Sequence, residues 1–122
     1  MTNQQATSKL DLETLNRAYE SRDAELALSL YTDDAWVRIV DRNNTPSSPR
    51  ELHGKEEIDE YLRDVFSRDT THELEREITA KDRVAFNVAC QYPDGVRVLA
   101  AESMELREGK VAQQVEVVAW DE

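Results

Sequence analysis

An α+β domain, with its helices packed on one face of an antiparallel sheet, is the fold class this sequence predicts. Three observations carry the prediction. First, His72–Trp120 reads as four runs, His72–Thr79, Val84–Tyr92, Val96–Arg107 and Val111–Trp120, separated by short polar or Gly-containing turns. Runs joined by turns that short form an antiparallel meander. Second, every helical pattern lies upstream of that meander, and helices segregated from an antiparallel sheet cover one of its faces. Third, the runs are long. At about 3.3 Å per residue, Val96–Arg107 spans roughly 40 Å, so the strands must twist and curl around the helices.

The elements follow in order. Met1–Thr7 is polar and uncharged, without an apolar stretch that would read as a secretory signal, and is expected to be a flexible tail; residues 8–122 form one domain. Ser8 opens the first helix through a capping-box pattern with Asp11, and Leu12, Leu15, Ala18 and Tyr19 fall on one face. Asp23 caps a second short helix carrying Leu26, Leu28, Leu30 and Tyr31, which Thr32-Asp33-Asp34 ends. Ala35–Val40 is a short β-prone run. Asp41–Arg50 holds prolines, asparagines and serines and reads as a loop. Glu51-Leu52-His53 is a brief strand, and Gly54 punctuates before an amphipathic helix over Lys55–Ser67. Ile58, Tyr61, Leu62, Val65 and Phe66 form the apolar stripe of that helix.

Composition excludes several functions. A net charge of −11, from 26 acidic against 15 basic residues, opposes a nucleic-acid backbone or an anionic membrane surface, because the basic residues are interleaved with acidic ones and do not cluster. No apolar run approaches the roughly 20 residues that cross a membrane, and a cytoplasmic location is expected. Cys90 is the single cysteine, so no intrachain disulfide forms. With only His53 and His72 to join that thiol, no spacing looks like a zinc site, and no metal is expected.

Leu15-Asn16-Arg17-Ala18-Tyr19, Arg22-Asp23 and Leu30–Ala35, followed by Gly54-Lys55-Glu56-Glu57-Ile58 with Tyr61-Leu62 and by Glu108-Gly109-Lys110-Val111, together resemble the nuclear transport factor 2-like superfamily. The SnoaL-like and ketosteroid-isomerase-like branches are the most similar. The resemblance runs from about residue 8 to 121. It implies a cone-shaped α+β barrel: three helices wrapped by a strongly curved antiparallel sheet, with a pocket at the open end and dimers through the outer sheet face. The superfamily carries isomerases, cyclases, dehydratases, hydrolases and plain binding domains, so it fixes no reaction. Aligned on Asp33-Asp34-Ala35, the general base of the ketosteroid isomerases falls on Ile39, with Arg38 beside it, and neither abstracts a proton from carbon. Their oxyanion tyrosine falls near Leu15, one turn before Tyr19. Their oxyanion aspartate falls on Glu102. Steroid isomerase activity is therefore not expected.

Alternation along the strands sorts the remaining candidates. Leu74 and Ile78 share a face with His72 and Arg76. Val84, Phe86, Val88, Cys90 and Tyr92 share one, as do Val98, Ala100, Glu102, Met104 and Leu106. Family analogy turns the Ala112, Gln114, Glu116, Val118, Trp120 face inward, and leaves Val111, Gln113, Val115 and Val117 outside as a homodimer surface. The expected pocket for a small apolar molecule is then walled by Tyr19, Tyr31, Trp36, Phe86, Cys90, Tyr92, Met104, Gln114 and Trp120. Glu102, Glu116 and His72 are its candidate catalytic groups. Two carboxyls in one apolar cavity repel, which raises one pKa into the range where a carboxyl moves protons. A competing expectation pairs Glu102 with Arg76 as a structural ion pair. Cys90 is expected as a small buried hydrophobe and His53 as a structural histidine. Three functions stay open: cofactor-free acid/base catalysis, non-catalytic binding of a small ligand, and a purely structural role as a dimer.

Overall fold

The computed structural model describes residues 10–121; the expected tail, and Ser8 with it, lie outside the described residues. The elements are α1 (Leu12–Ser21), α2 (Ala24–Leu28), β1 (Tyr31–Val40), β2 (Arg50–His53), α3 (Lys55–Phe66), β3 (Thr71–Thr79), β4 (Arg83–Gln91), β5 (Arg97–Arg107) and β6 (Lys110–Trp120). Among the described residues, three helices lie against one curved, unclosed sheet in the order β2-β1-β6-β5-β4-β3. Every strand pair is antiparallel except β1 with β6. The expected α+β architecture is thus present, and no helix among the described residues is long and apolar enough to cross a membrane.

The helices start where short polar side chains satisfy free N–H groups. Asp11, not Ser8, caps α1: its carboxylate accepts from Thr14 N at 3.1 Å. Asp23 caps α2 in the same way, accepting from Leu26 N at 3.0 Å. At the start of α3 the cap is Gly54 at φ 87°, a left-handed conformation that a side chain would strain. Glu57 reaches back to accept from His53 N at 2.7 Å. The apolar stripe of α3 buries Ile58, Leu62 and Phe66.

The upstream expectations need a further correction. Tyr31 and Thr32-Asp33-Asp34 do not end a helix: α2 stops at Leu28 and Tyr31 opens a ten-residue β1. That strand pairs with β6 at Tyr31↔Val111 and again at Trp36↔Gln113, so five residues of β1 match two of β6 and Thr32–Ala35 bulges. The Asp and Thr side chains that read as a helix end occupy that bulge.

The inward faces form rows across the sheet. His72, Cys90, Val98 and Trp120 make one row; Leu74, Val88, Ala100 and Val118 the next; Phe86, Glu102, Glu116 and Ile39 the third; Val84, Met104, Gln114 and Val37 the fourth. Two residues of strand, roughly 7 Å, separate successive rows. Two bulges override simple alternation. In β3 the register shifts between Glu75 and Ile78, with Arg76 at φ 58°, so Ile78 turns outward and is 70% exposed. Arg76 and Ile78 therefore do not share the face of His72 and Leu74. In β6 the register shifts opposite Glu105/Leu106. Val111, expected outside, is consequently 0% exposed inside the core, while Gln114 and Glu116 keep their inward aspect. The β5–β6 turn itself has positive φ at both Glu108 and Gly109, as a type I′ hairpin requires.

Candidate functional site

Between α3 and the upper three rows of the sheet lies a cavity of about 130 Å³. Apolar cavities of about this size, roughly 150 Å³, take up benzene. Its walls are Val88, Val98, Ala100 and Val118 from the sheet with Leu62, Val65 and Phe66 from α3. Tyr92 and Trp120 stack with ring centroids 5.9 Å apart, and Arg42 lies 4.4 Å over the Trp120 ring.

Two polar clusters on the sheet face this space, whose lining also includes Asp41, Arg50 and Arg68. The first is on the third row. Glu102 and Glu116 are register partners on β5 and β6, and both line the cavity. Gln114 Nε2 donates to Glu102 Oε1 at 2.7 Å, and the Tyr31 hydroxyl donates to Gln114 Oε1. On the other side the Tyr61 hydroxyl donates to both oxygens of Glu116, at 3.3 and 3.2 Å. Burial, and then the charge of Glu116, hold the Glu102 carboxyl well above the ordinary carboxylate range. Burial also lifts Glu116, to about 7, although hydrogen bonds from Tyr61 and Glu102 oppose the rise; Asp41 adds to it and Arg50 subtracts from it. Tyr61 and Tyr31 are pushed up by burial and by these carboxyls, so both phenols stay protonated and act as donors.

The second group is on β3. His72 Nδ1 lies 3.2 Å from Cys90 Sγ. Tyr19 and Phe66 pack edge-on to the imidazole with centroids 6.1 and 5.5 Å away. Burial, and then Arg22, lower the His72 pKa to about 4, so the ring is neutral. Burial raises the Cys90 thiol to about 11. His72 Nε2 and Thr70 Oγ1 are buried without a hydrogen-bond partner.

Of the residues singled out from sequence, Tyr19, His72, Cys90, Tyr92, Glu102, Glu116 and Trp120 line the cavity. Tyr31, Phe86, Met104 and Gln114 do not; they are buried at or below the third row. Trp36 points away, beneath Arg38 at 5.3 Å. Glu102 makes no ion pair with Arg76: its partner is Gln114. Sequence reasoning missed Tyr61, Arg50, Asp41, Arg68 and Thr70 as lining residues. Tyr61 carried a signal, since a phenol within an apolar stripe needs a partner for its hydroxyl. Arg50 and Asp41 sat in a loop-like run with no pattern to mark them. Asp41 closes that loop by accepting from Asn43 N at 2.9 Å and Asn44 N at 2.8 Å. Among the described residues no three of His, Cys, Asp and Glu converge to hold a metal ion.

The SnoaL-like domain family matches residues 12–114. Curated protein sequences give no match. Solved structures do. A nuclear transport factor 2-like protein of unknown function from Mesorhizobium loti superposes with a TM-score of 0.73 at 16% identity, over 88% of this chain and 87% of that one. One from Burkholderia xenovorans LB400 gives 0.70 at 20% identity, over 91% and 80%. A protein provisionally named a ketosteroid isomerase, from Kribbella flavida DSM 17836, gives 0.70 at 16% identity, over 91% and 75%. At such identities the likeness is one of fold.

Proposed function

We propose that this chain, which belongs to the SnoaL-like family of the nuclear transport factor 2-like superfamily, binds a small apolar molecule in its cavity and moves a proton on it without a cofactor. The observation that carries the reading is the Glu102–Glu116 pair. It is two carboxyls set in an apolar wall, bonded to an amide and to a phenol and not to a guanidinium. A structural ion pair would have an Arg or Lys there. A carboxyl pair that shares a proton, with one member titrating at about 7, suits general acid/base work at neutral pH. Glu116 is the base, and Glu102, protonated, stabilises the carboxylate and steadies its position. The reaction class is an isomerisation, cyclisation, dehydration or hydrolysis.

A probe molecule can stand in for the natural substrate in the test. A small cyclic enone in D2O reports proton abstraction from carbon as deuterium incorporation, read by NMR. The wild type is expected to exchange the probe faster than buffer, and Glu116→Gln to lose that advantage. A probe that binds without exchanging would favour a non-catalytic binding domain instead.

We also propose a homodimer through the outer sheet face. Leu99 and Val117 are 46% and 49% exposed there, next to Ala101, Val115 and Ala119 on paired strands. Val111 has no part in it. Light scattering on Val117→Glu should report a monomer, and a dimer in that variant would exclude this interface.

A further inference from the structure

We propose that Gln114, held by Tyr31, is a positioning residue: it fixes Glu102 as the hydrogen-bond donor to Glu116, and so makes Glu116 the carboxylate that meets a bound molecule. The inference deepens the acid/base reading above and rests on it. Neither Gln114 nor Tyr31 lines the cavity. Gln114 sits one row below Glu116 on the same strand, and Tyr31 reaches it from the start of β1. Both are buried, so the bonds they make to one another and to Glu102 are their means of satisfaction.

A chain of this kind has two possible polarities. In the first, the Tyr31 O–H donates to Gln114 Oε1, and Gln114 Nε2–H donates to Glu102 Oε1 at 2.7 Å. Glu102 Oε1 is then the carbonyl oxygen of an acid, and the proton is on Oε2, free to point to Glu116, the register partner of Glu102 across the strand pair. In the second, the amide is turned round. The Tyr31 proton then loses its acceptor, Glu102 must give its own proton to Gln114 Oε1, and Glu116 faces a bare oxygen of its neighbour. That arrangement leaves a buried donor unmade and sets lone pairs of two carboxyls against each other in a site of low dielectric. The first polarity satisfies every member. A phenol at the far end of the chain therefore decides, through one amide, which way a carboxylic proton points.

Several other groups act on Glu116: Tyr61 from α3, Arg50 from β2, Asp41 just past β1 and Glu102 from β5. Tyr19 from α1 and Tyr31 from β1 sense its charge. Gln114 bonds to none of Tyr61, Arg50, Asp41 or Tyr19, so a change at 114 leaves them in place and isolates the aim of the Glu102 proton.

The experiment is a carboxyl 13C NMR titration of Glu116 in the full chain, its resonance assigned by its loss in Glu116→Gln. Gln114→Met keeps the side-chain length and removes the amide. With Glu102 free to turn its proton elsewhere, Glu116 loses part of its donor, and its midpoint should rise by about one pH unit, a tenfold drop in the ionised fraction below the midpoint. Tyr31→Phe deletes one oxygen and should move the midpoint the same way by less. A folded variant that loses thermal stability while its Glu116 midpoint stays where it was would overturn the proposal, since a merely structural filler behaves that way. If Gln114→Met does not fold, the Tyr31→Phe midpoint decides. Because the titration needs no turnover, an inactive protein whose midpoint still responds to position 114 would refute the chemistry and leave the positioning role standing.

Discussion

The two polar groups of the cavity differ in one respect that bears on function. Around Glu102 and Glu116, paired on β5 and β6, Tyr31 donates to Gln114 and Gln114 to Glu102, while Tyr61 donates to Glu116. At the start of β3, His72 and, just before the strand, Thr70 are as well buried, but each keeps an atom with no partner among the described residues. The first group holds charge that the apolar wall makes costly, and the chain of donors is what allows one carboxylate to persist there. The second avoids charge altogether: His72 is neutral, gripped by Cys90 and ringed by Tyr19 and Phe66. A buried network that stabilises an ion is equipped to exchange protons. A neutral imidazole packed among aromatic edges is equipped to fill space.

That contrast assigns the largest effect to Glu116. Glu116→Gln should slow probe exchange by about 10²–10⁴-fold, the usual worth of a general base. Glu102→Gln should cost far less, because its amide N–H still donates to Glu116 and its carbonyl still accepts from Gln114. His72→Phe should leave exchange within about threefold; a loss there as large as that of Glu116→Gln would erase the distinction between the two groups.

The next effect is on stability against pH, where the groups pull in opposite directions. The folded Glu116 carboxyl titrates near 7 against an ordinary 4.5, so the native state holds its proton more tightly. Its contribution is complete below 4.5 and is lost as pH rises through 7, a change on the order of 3 kcal/mol. The folded His72 titrates near 4 against 6.5, so its contribution is complete above 6.5 and is lost as pH falls through 4. The two windows overlap and their slopes largely cancel, so denaturant midpoints should rise with pH from about 4 to 6.5 in Glu116→Gln, where His72 is left, and fall from about 4.5 to 7 in His72→Phe, where Glu116 is left. Opposite assignments would show that the two environments are exchanged. A smaller effect belongs to Tyr61→Phe: it removes a donor to Glu116 and should raise the Glu116 midpoint by a fraction of a unit in the same titration. The smallest belongs to Cys90→Ser, which keeps a small polar group beside His72 and should change neither exchange nor the Glu116 midpoint.

Much of the frame was legible in the amino-acid order. The meander followed from turn spacing, and the inward faces of β4 and β5, including Glu102, followed from strict alternation without a bulge. Where the chain departs from alternation, legibility ended. Arg76 at positive φ turns Ile78 outward, and the shift in β6 carries Val111 inward. Bulges are set by what the neighbouring strand requires, which local pattern does not record. Tyr31 was hidden by the run of leucines before it, which reads as helix until β6 supplies a parallel partner. The Tyr61–Glu116 bond joins a helix to a strand 55 residues later, and only the curvature of the sheet brings them together.

The proposed proton transfer in this cavity depends on Glu116 being an ionisable carboxyl displaced into the neutral range by its neighbours. Titration of its side-chain carboxyl by 13C NMR in the unmodified protein measures this directly. A midpoint near 7 is predicted; a midpoint at the ordinary 4.5 would contradict it.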